Sequence, residues 1–420
     1  MKIGFISLGC SKNLVDTEMM IAHYKENGYV IVSDPADAEI IVINTCGFIE
    51  SAKEEAINTI LEMAEYKKQN CKKLIVTGCL VERYLEELKK ELPEVDLFIP
   101  IKEYDKIFDK LDMHKRVIST GDNFVYLRIA DGCSNYCTYC AIPYIRGPLK
   151  SREFDDVIKE AKELREKGYR EVIIIAQDTG RYGLDLYGKP RFAELLSEIA
   201  KIDFKWIRFL YTYPEMITDE LINVVKTNDN ICNYFDIPIQ HISDRVLKRM
   251  GRKGNGNSIR EVIAKIREEI PNSIIRTSLI VGFPGETEEE FNELKEFVKA
   301  TKFNRLGVFK YSMEDGTPAL KLNGHLDESI KQKRLDILMQ EQQKISKELN
   351  KQLIGKTFEC LIDGITDDDE YYIGRTYMDV PDTDGLVFIK AEKSHQVGEF
   401  INVVIEDAVE YDLIAKKIGY

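Results

Sequence analysis

The sequence predicts an α/β protein in three parts. An N-terminal parallel α/β sheet domain comes first. A central partial barrel of six βα units follows, and a small OB-like β-barrel ends the chain. Three observations lead there. From Lys2 to Ile99, short apolar runs alternate with helix-length amphipathic stretches. The alternation resumes at Phe124 and continues for about six units. From residue 352 on, short strands with turn signals replace helices. Strand–helix alternation is the pattern of parallel sheets covered by helices, and a cluster of short strands is that of a small closed barrel. The expected domains are 1–118, 119–350 and 352–420.

In the first part, Lys2–Ser7, Glu39–Asn44, Lys73–Thr77 and Asp96–Ile99 read as buried strands. Asn13–Glu26, Ser51–Lys68 and Val81–Glu91 read as helices. Three cysteines fall at equivalent places. Cys10, Cys46 and Cys79 each sit just past the carboxyl end of a strand, the edge where open α/β sheets bind ligands. Far apart in sequence, they are expected to converge into a three-thiolate cluster site. Gly9, Gly47 and Gly78 beside them would let the backbone approach a cluster closely. Singly, each reads first as a buried core cysteine; it is the three together that point to a cluster. Cys71, Cys232 and Cys360 have no such setting and read as ordinary cysteines.

The central strands are Phe124–Ala130, Glu171–Ala176, Trp206–Tyr211, Tyr234–Ile237, Ile274–Val281 and Arg305–Tyr311, with helices such as Phe154–Lys167 and Glu288–Thr301 between them. In βα barrels the chemistry sits at the carboxyl ends of the strands. The loop after the first strand carries Cys133, Cys137 and Cys140 at spacing C-x3-C-x2-C. Thiolates are soft ligands suited to iron–sulfur clusters and zinc. Three of them can hold three irons of a cubane and leave the fourth open to a substrate or cofactor. The rival reading is a structural zinc knuckle, which ordinarily closes with four ligands. Gln177-Asp178, Gln240-His241 and Gly282-Phe283-Pro284-Gly285-Glu286 follow later strands on the same rim. Arg146 and Arg152 are candidates to pair with carboxylates there. The polar helix Asp327–Leu349 should close the barrel.

The last part offers Thr357–Ile362, Tyr371–Thr376, Leu386–Ile389 and Glu399–Ala408 within some five short strands. It holds 15 acidic and 6 basic residues, a formal −9 out of −13 for the chain. A phosphate-binding surface would be basic, so a basic protein partner is expected by charge complementarity. Nonspecific nucleic-acid binding is not expected of so acidic a chain. Nine scattered cysteines argue against a disulfide framework and for a reducing, cytoplasmic setting. Met1-Lys2-Ile3-Gly4-Phe5-Ile6 reads as a strand rather than a signal peptide. No apolar run approaches the length of a membrane span, so no membrane partner is expected.

The spacing C-x3-C-x2-C with Tyr139 before its last cysteine resembles the signature of radical S-adenosylmethionine enzymes. The last part resembles a TRAM domain. The three-part layout resembles the methylthiotransferases, which insert a methylthio group into an unactivated C–H bond. One branch modifies an adenosine in tRNA; the other, the RimO type, modifies the β-carbon of an aspartate in a small-subunit ribosomal protein. Gly9-Cys10-Ser11-Lys12-Asn13-Leu14-Val15-Asp16, Arg128-Ile129-Ala130-Asp131-Gly132-Cys133 and Asp236-Ile237-Pro238-Ile239-Gln240-His241-Ile242-Ser243-Asp244-Arg245 are more similar to the second branch.

This resemblance implies two 4Fe–4S clusters, one on Cys133, Cys137 and Cys140 that cleaves S-adenosylmethionine, the other on Cys10, Cys46 and Cys79 that carries the sulfur. It implies that Tyr139, Gln177, Gln240 and Gly282 contact the cofactor, a loop-structural role being the alternative for each. The first domain must then dock over the barrel mouth. The sequence identifies neither the electron donor nor the sulfur donor. The remaining rivals are tRNA methylthiolation, against which the acidic last domain speaks, and a non-enzymatic metal scaffold that binds RNA.

Overall fold

A computed structural model describes residues 1–104, 108, 112–121, 123–391 and 395–418. Parts of the expected first and last domains, 105–107, 109–111 and 419–420 among them, lie outside the described residues.

The N-terminal sheet has five parallel strands in the order β2-β1-β3-β4-β5, with β1 Lys2–Ser7, β2 Val30–Ile31, β3 Ile40–Thr45, β4 Lys73–Gly78 and β5 Leu97–Ile99. The two-residue edge strand β2 was not expected. It is too short and too exposed to leave an apolar run in the sequence. Helices α1 (Ser11–Glu26), α2 (Glu50–Ala64) and α3 (Cys79–Glu91) connect the strands. The expected helix to Lys68 is α-helical only to Ala64 and finishes as a tighter turn over Glu65–Lys68. Strand β3 is buried along its whole length, as a central strand covered on both faces must be.

Six parallel strands form the central partial barrel: β6 (Phe124–Arg128), β9 (Glu171–Ile175), β10 (Trp206–Phe209), β11 (Tyr234–Asp236), β12 (Ile274–Val281) and β13 (Arg305–Lys310). They make two three-stranded sheets. Backbone bonds from Ile207 to Asn230 and from Cys232 to Ile207 join the halves. The expected first strand is shorter than read, because Ala130–Asp131 (β7) turns into an antiparallel ribbon with Lys150–Ser151 (β8). Alternate residues divide the burial. Val125, Leu127, Val172 and Ile174 pack with the outer helices, while Phe124, Tyr126, Ile173 and Ile175 face a second core shared with the C-terminal barrel. The last helix, α4 (Glu328–Lys351), lies beside β13; its Gln342 donates to the Phe303 carbonyl at 2.9 Å.

The C-terminal barrel closes in the order β14-β15-β16-β18-β17, with β14 Thr357–Ile365, β15 Tyr371–Arg375, β16 Val387–Lys390, β17 Phe400–Ala408 and β18 Leu413–Lys417. It docks at the amino ends of the central strands. Buried Glu171, the first residue of β9, bonds Arg208 at 2.8 Å and Arg375 of the C-terminal barrel at 2.9 Å. Tyr234 donates to Asp384 and Arg305 pairs with Asp379 across the same seam. The opposite rim, at the carboxyl ends, is left for the cysteine loops. Among the described residues no helix is long and apolar enough to cross a membrane.

Candidate active site

Strands β1, β3 and β4 are neighbours in the N-terminal sheet, so the loops bearing Cys10, Cys46 and Cys79 stand side by side. All three are free thiols, exposed, half-buried and buried in turn. What the nearby glycines admit is the next loop. A Cβ on Gly9, whose φ is +88°, would stand 2.7 Å from the Cys46 Cβ, and one on Gly47 would stand 2.6 Å from the Leu80 Cα. Asn13 stitches the loops, donating to the carbonyls of Leu8 and Thr45, each at 3.1 Å. Burial pushes the Cys79 thiol up to about 12, with Cys10 and Cys46 nearby adding to the rise. Such a thiol becomes a ligand only when a metal's charge drives its proton off.

The second triad lies on the loop between β7 and β8. Gly132, at φ +67°, lets that loop press on the Pro148 carbonyl, and the Cys133 amide donates to the Gly147 carbonyl at 3.0 Å. Thr138 ties the loop to the Arg249–Met250 turn through its amide and its hydroxyl, both at 2.8 Å. Burial raises Cys133 to about 11 and Cys140 to about 12, and the neighbouring thiols of the triad contribute.

Tyr139 packs among Val246, Met250, Phe283 and Tyr311, edge-on to Phe283 at 6.5 Å. Gln177 donates to Asp131 at 3.0 Å and keeps its Oε1 without a partner. Gln240, at φ +70°, exchanges backbone bonds with Ser278 and Ile280 and so joins the loop after β11 to β12. Gly282, at φ +71°, gives its side-chain space to the Lys331 stem, 2.4 Å from where a Cβ would be. Asp178 is buried, accepts from Asn135 at 2.8 Å, and has a second oxygen with no partner; burial raises it to about 6. His241 is a loop-packing residue: it accepts from the Ser243 amide at 3.0 Å, and burial lowers it to about 3. Sequence reasoning missed Tyr213 and Arg252. The Tyr213 hydroxyl is 3.5 Å from Cys137 Sγ, and the Arg252 guanidinium lies 3.9 Å above the Tyr213 ring. Neither carries a local motif.

The two triads face one another. Arg146, six residues after Cys140, donates to Asp131 at 3.0 Å, to Asn13 at 2.7 Å and to Asp16 at 2.8 Å. The Asn13 oxygen that accepts from Arg146 also lies 3.5 Å from Cys79 Sγ. Cys79 itself packs against Ala141 and Ile145. Farther round, Arg83 pairs with Glu314 at 2.9 Å and Tyr84 donates to Asp315 at 3.1 Å. The N-terminal sheet therefore covers the barrel mouth. Burial alone would raise Asp131, but Arg146 and Arg128 outweigh it and bring it down to about 2. Arg152, the other arginine singled out in sequence, pairs with Asp156 and Glu160 instead.

Among the described residues, no three His, Cys, Asp or Glu side chains close on a point that one metal ion could share. The donor sets are three soft thiols each, the chemistry of an iron–sulfur cluster rather than of magnesium or calcium. The partnerless oxygens of Gln177 and Asp178 are polar groups for a further ligand beside the second triad. The residues fit a cluster and a polar cofactor.

Comparison with known proteins agrees with this layout. Residues 2–100 match an uncharacterized protein family, UPF0004, residues 127–298 match the radical SAM superfamily, and residues 354–418 match the TRAM domain. The chain is 57% identical to a ribosomal protein uS12 methylthiotransferase RimO of Alkaliphilus oremlandii, over 99% of each chain. It is 52% identical to the protein of that name in Clostridioides difficile, over 99% of this chain and 98% of the relative. Among solved structures, the radical S-adenosylmethionine methyltransferase TsrM from Kitasatospora setae, with cobalamin and a [4Fe-4S] cluster bound, shares the fold with a TM-score of 0.57 at 12% identity, over 76% of both chains. A resemblance to full-length relatives at this identity, together with two facing cysteine triads on the sheet edges, means that the chain belongs to the RimO family of radical S-adenosylmethionine methylthiotransferases.

Proposed function

We propose that this protein adds a methylthio group to the β-carbon of an aspartate in ribosomal protein uS12, with S-adenosylmethionine and two 4Fe–4S clusters. The observation that carries the reading is the pair of free-cysteine triads held face to face through Arg146. Cys133, Cys137 and Cys140 are assigned to the cluster that holds the cofactor, and Cys10, Cys46 and Cys79 to the cluster that holds the sulfur. The bound cofactor, once reduced by one electron, supplies hydrogen abstraction from a carbon that no side-chain base could deprotonate. The chain aims it. Tyr139 closes one wall, and Gln177, Gln240 and Gly282 are assigned as cofactor contacts, Gln177 through its free Oε1. The Arg146 contacts fix the spacing of the Cys133 loop from α1, and the N-terminal sheet screens the mouth from water.

The domain limits 1–118, 119–350 and 352–420 go with this reading, as does a cytoplasmic location where thiols stay reduced. The acidic C-terminal barrel favours a basic protein over tRNA. Anaerobically reconstituted protein should hold roughly eight irons. Replacing Cys133, Cys137 and Cys140 together with Ala should leave half and abolish 5′-deoxyadenosine release. Replacing Cys10, Cys46 and Cys79 should leave half, keep that release and stop methylthiolation of uS12, read by mass spectrometry. Full iron content in either triple variant, or zinc in place of iron, would sink the assignment.

A further inference from the structure

Two residues after Cys10, in the first turn of α1, Lys12 is only 6% exposed. Its Nζ stands 3.2 Å from the centroid of the Tyr211 ring. Among the described residues it has no hydrogen bond and no ion pair, and the ring is the contact it makes. Tyr211 lies just past β10, on the barrel rim, and holds a left-handed φ of +62°. Backbone strain of this kind in a bulky residue persists where the surroundings impose it, often at functional sites. The pair thus reaches across the seam between the N-terminal sheet and the barrel mouth. Tyr211 is also within electrostatic range of Tyr126 and Arg276, which line the barrel interior.

An ammonium on so enclosed a side chain is costly unless an anion or water pairs with it, and a ring face compensates only in part. The other cations nearby are already matched. Arg146 is held by Asp131 and Asp16, Arg128 by Asp16, and Arg276 by Asp236 and Asp384. On this side of the seam Lys12 keeps donor capacity, three N–H groups on a flexible stem; Arg252, whose Nη1 also lacks a partner, sits over Tyr213 beside Cys137. We propose that Lys12 selects the substrate side chain, its ammonium binding the carboxylate of the target aspartate between the two triads. This rests on the reading of the chain as an aspartate methylthiotransferase. The carbon to be modified is bonded to that carboxyl carbon, so a grip on the carboxylate places it. A substrate asparagine would offer the ammonium only an uncharged amide oxygen, and its NH2 would find no acceptor on Lys12. A site built for one polar group discriminates strongly against an analogue that leaves its own groups unpaired.

The test titrates the holoenzyme, without reductant, against purified uS12 carrying either the native target aspartate or Asn in its place, by fluorescence anisotropy. The wild type should prefer the aspartate form by about tenfold or more. Lys12→Met should bind both forms alike, at the weaker level, with unchanged iron content. Lys12→Arg, which keeps the charge over the ring, should restore part of the preference and so separates loss of charge from loss of fold. Full preference in Lys12→Met overturns the inference, as does loss of iron with the preference intact, which would put the ammonium at the service of the Cys10 loop. If the wild type binds neither form of uS12, the reading of the enzyme fails instead.

Discussion

Arg146 and Asp16 meet across the seam between the central barrel and the N-terminal sheet, with Nη2 2.8 Å from Oδ2 and both side chains almost wholly buried. The contact ties the loop that carries Cys133, Cys137 and Cys140 to helix α1, which starts just after Cys10. The same guanidinium holds Asp131 at the start of the Cys133 loop and Asn13 in the first turn of α1. Its three partners leave it one arrangement, which is what a charge-bearing contact offers beyond its modest net stability.

Replacing Arg146 with Met should therefore do more than remove a bond. Buried Asp16 is left with Arg128 alone, and half-buried Asp131 loses its closest cation and keeps only Arg128 at 4.0 Å. The expected cost is about 3 kcal/mol or more, the usual result of breaking a buried pair from one side. Urea unfolding measures it. Adding Asp131→Asn to the Met variant should recover part of the loss, because the stranded charge goes. A Met variant as stable as the wild type would mean that the seam is held elsewhere.

The sequence made the strand ends legible because each is marked twice, by an apolar run and by the cysteine that follows it. Cys10, Cys46 and Cys79 could be grouped before any coordinates for that reason. The seams could not. Asn13 and Arg146 are 133 residues apart, and Arg208 meets the Tyr377 carbonyl from 169 residues away. A buried ion pair has no period, and its members look like surface charges in a string of letters. Lys12 shows the same blindness: within Gly9-Cys10-Ser11-Lys12-Asn13 it reads as a motif letter, and only the Tyr211 ring beneath it reveals a cation without an anion. Gly282 shows the converse. Its place on the rim was legible, but not that Lys331 fills the space beside it.

His241 gives a pH dependence with a definite sign. Burial lowers it to about 3, whereas an unfolded histidine titrates near ~6.5. Between those values the unfolded chain binds a proton that the folded chain refuses. The stability is full above the unfolded value and is lost as pH falls toward the folded one, with a slope of about 1.4 kcal/mol per pH unit. Glu286, pushed up to about 7 by burial, works in the opposite sense over part of the range. The difference between wild type and His241→Gln isolates the histidine. As pH drops from 6.5 to 4.5, the wild type should lose stability relative to the variant by roughly that slope. A constant difference in denaturant unfolding across the range would mean that His241 does not stay neutral in the fold.

The acidic turn between β14 and β15 offers a test of substrate class. Asp367, Asp368, Asp369 and Glu370 are all exposed there, and no ion pair holds them among the described residues. Asp369 sits at φ +58°, a conformation that Asn adopts as readily as Asp. Asp368 accepts from Thr366 and from the Glu370 amide, both of which an amide oxygen can also accept. Changing the four to Asn and Gln therefore removes four negative charges with little change in volume or local structure. Folding should shift by no more than about 0.5 kcal/mol. Exposed charges act on encounter rate and partner choice, and salt weakens them. Association with uS12 should weaken several-fold at low salt, chiefly through a slower on-rate, and its salt dependence should flatten. Association with tRNA should instead strengthen as repulsion falls. Both ligands can be titrated against both proteins at two salt concentrations. If the variant binds uS12 as the wild type does, the acidic turn does not meet the substrate and recognition lies at the barrel mouth. If the wild type binds tRNA tightly and ignores uS12, the substrate is nucleic acid and the charge of the C-terminal barrel has been misread.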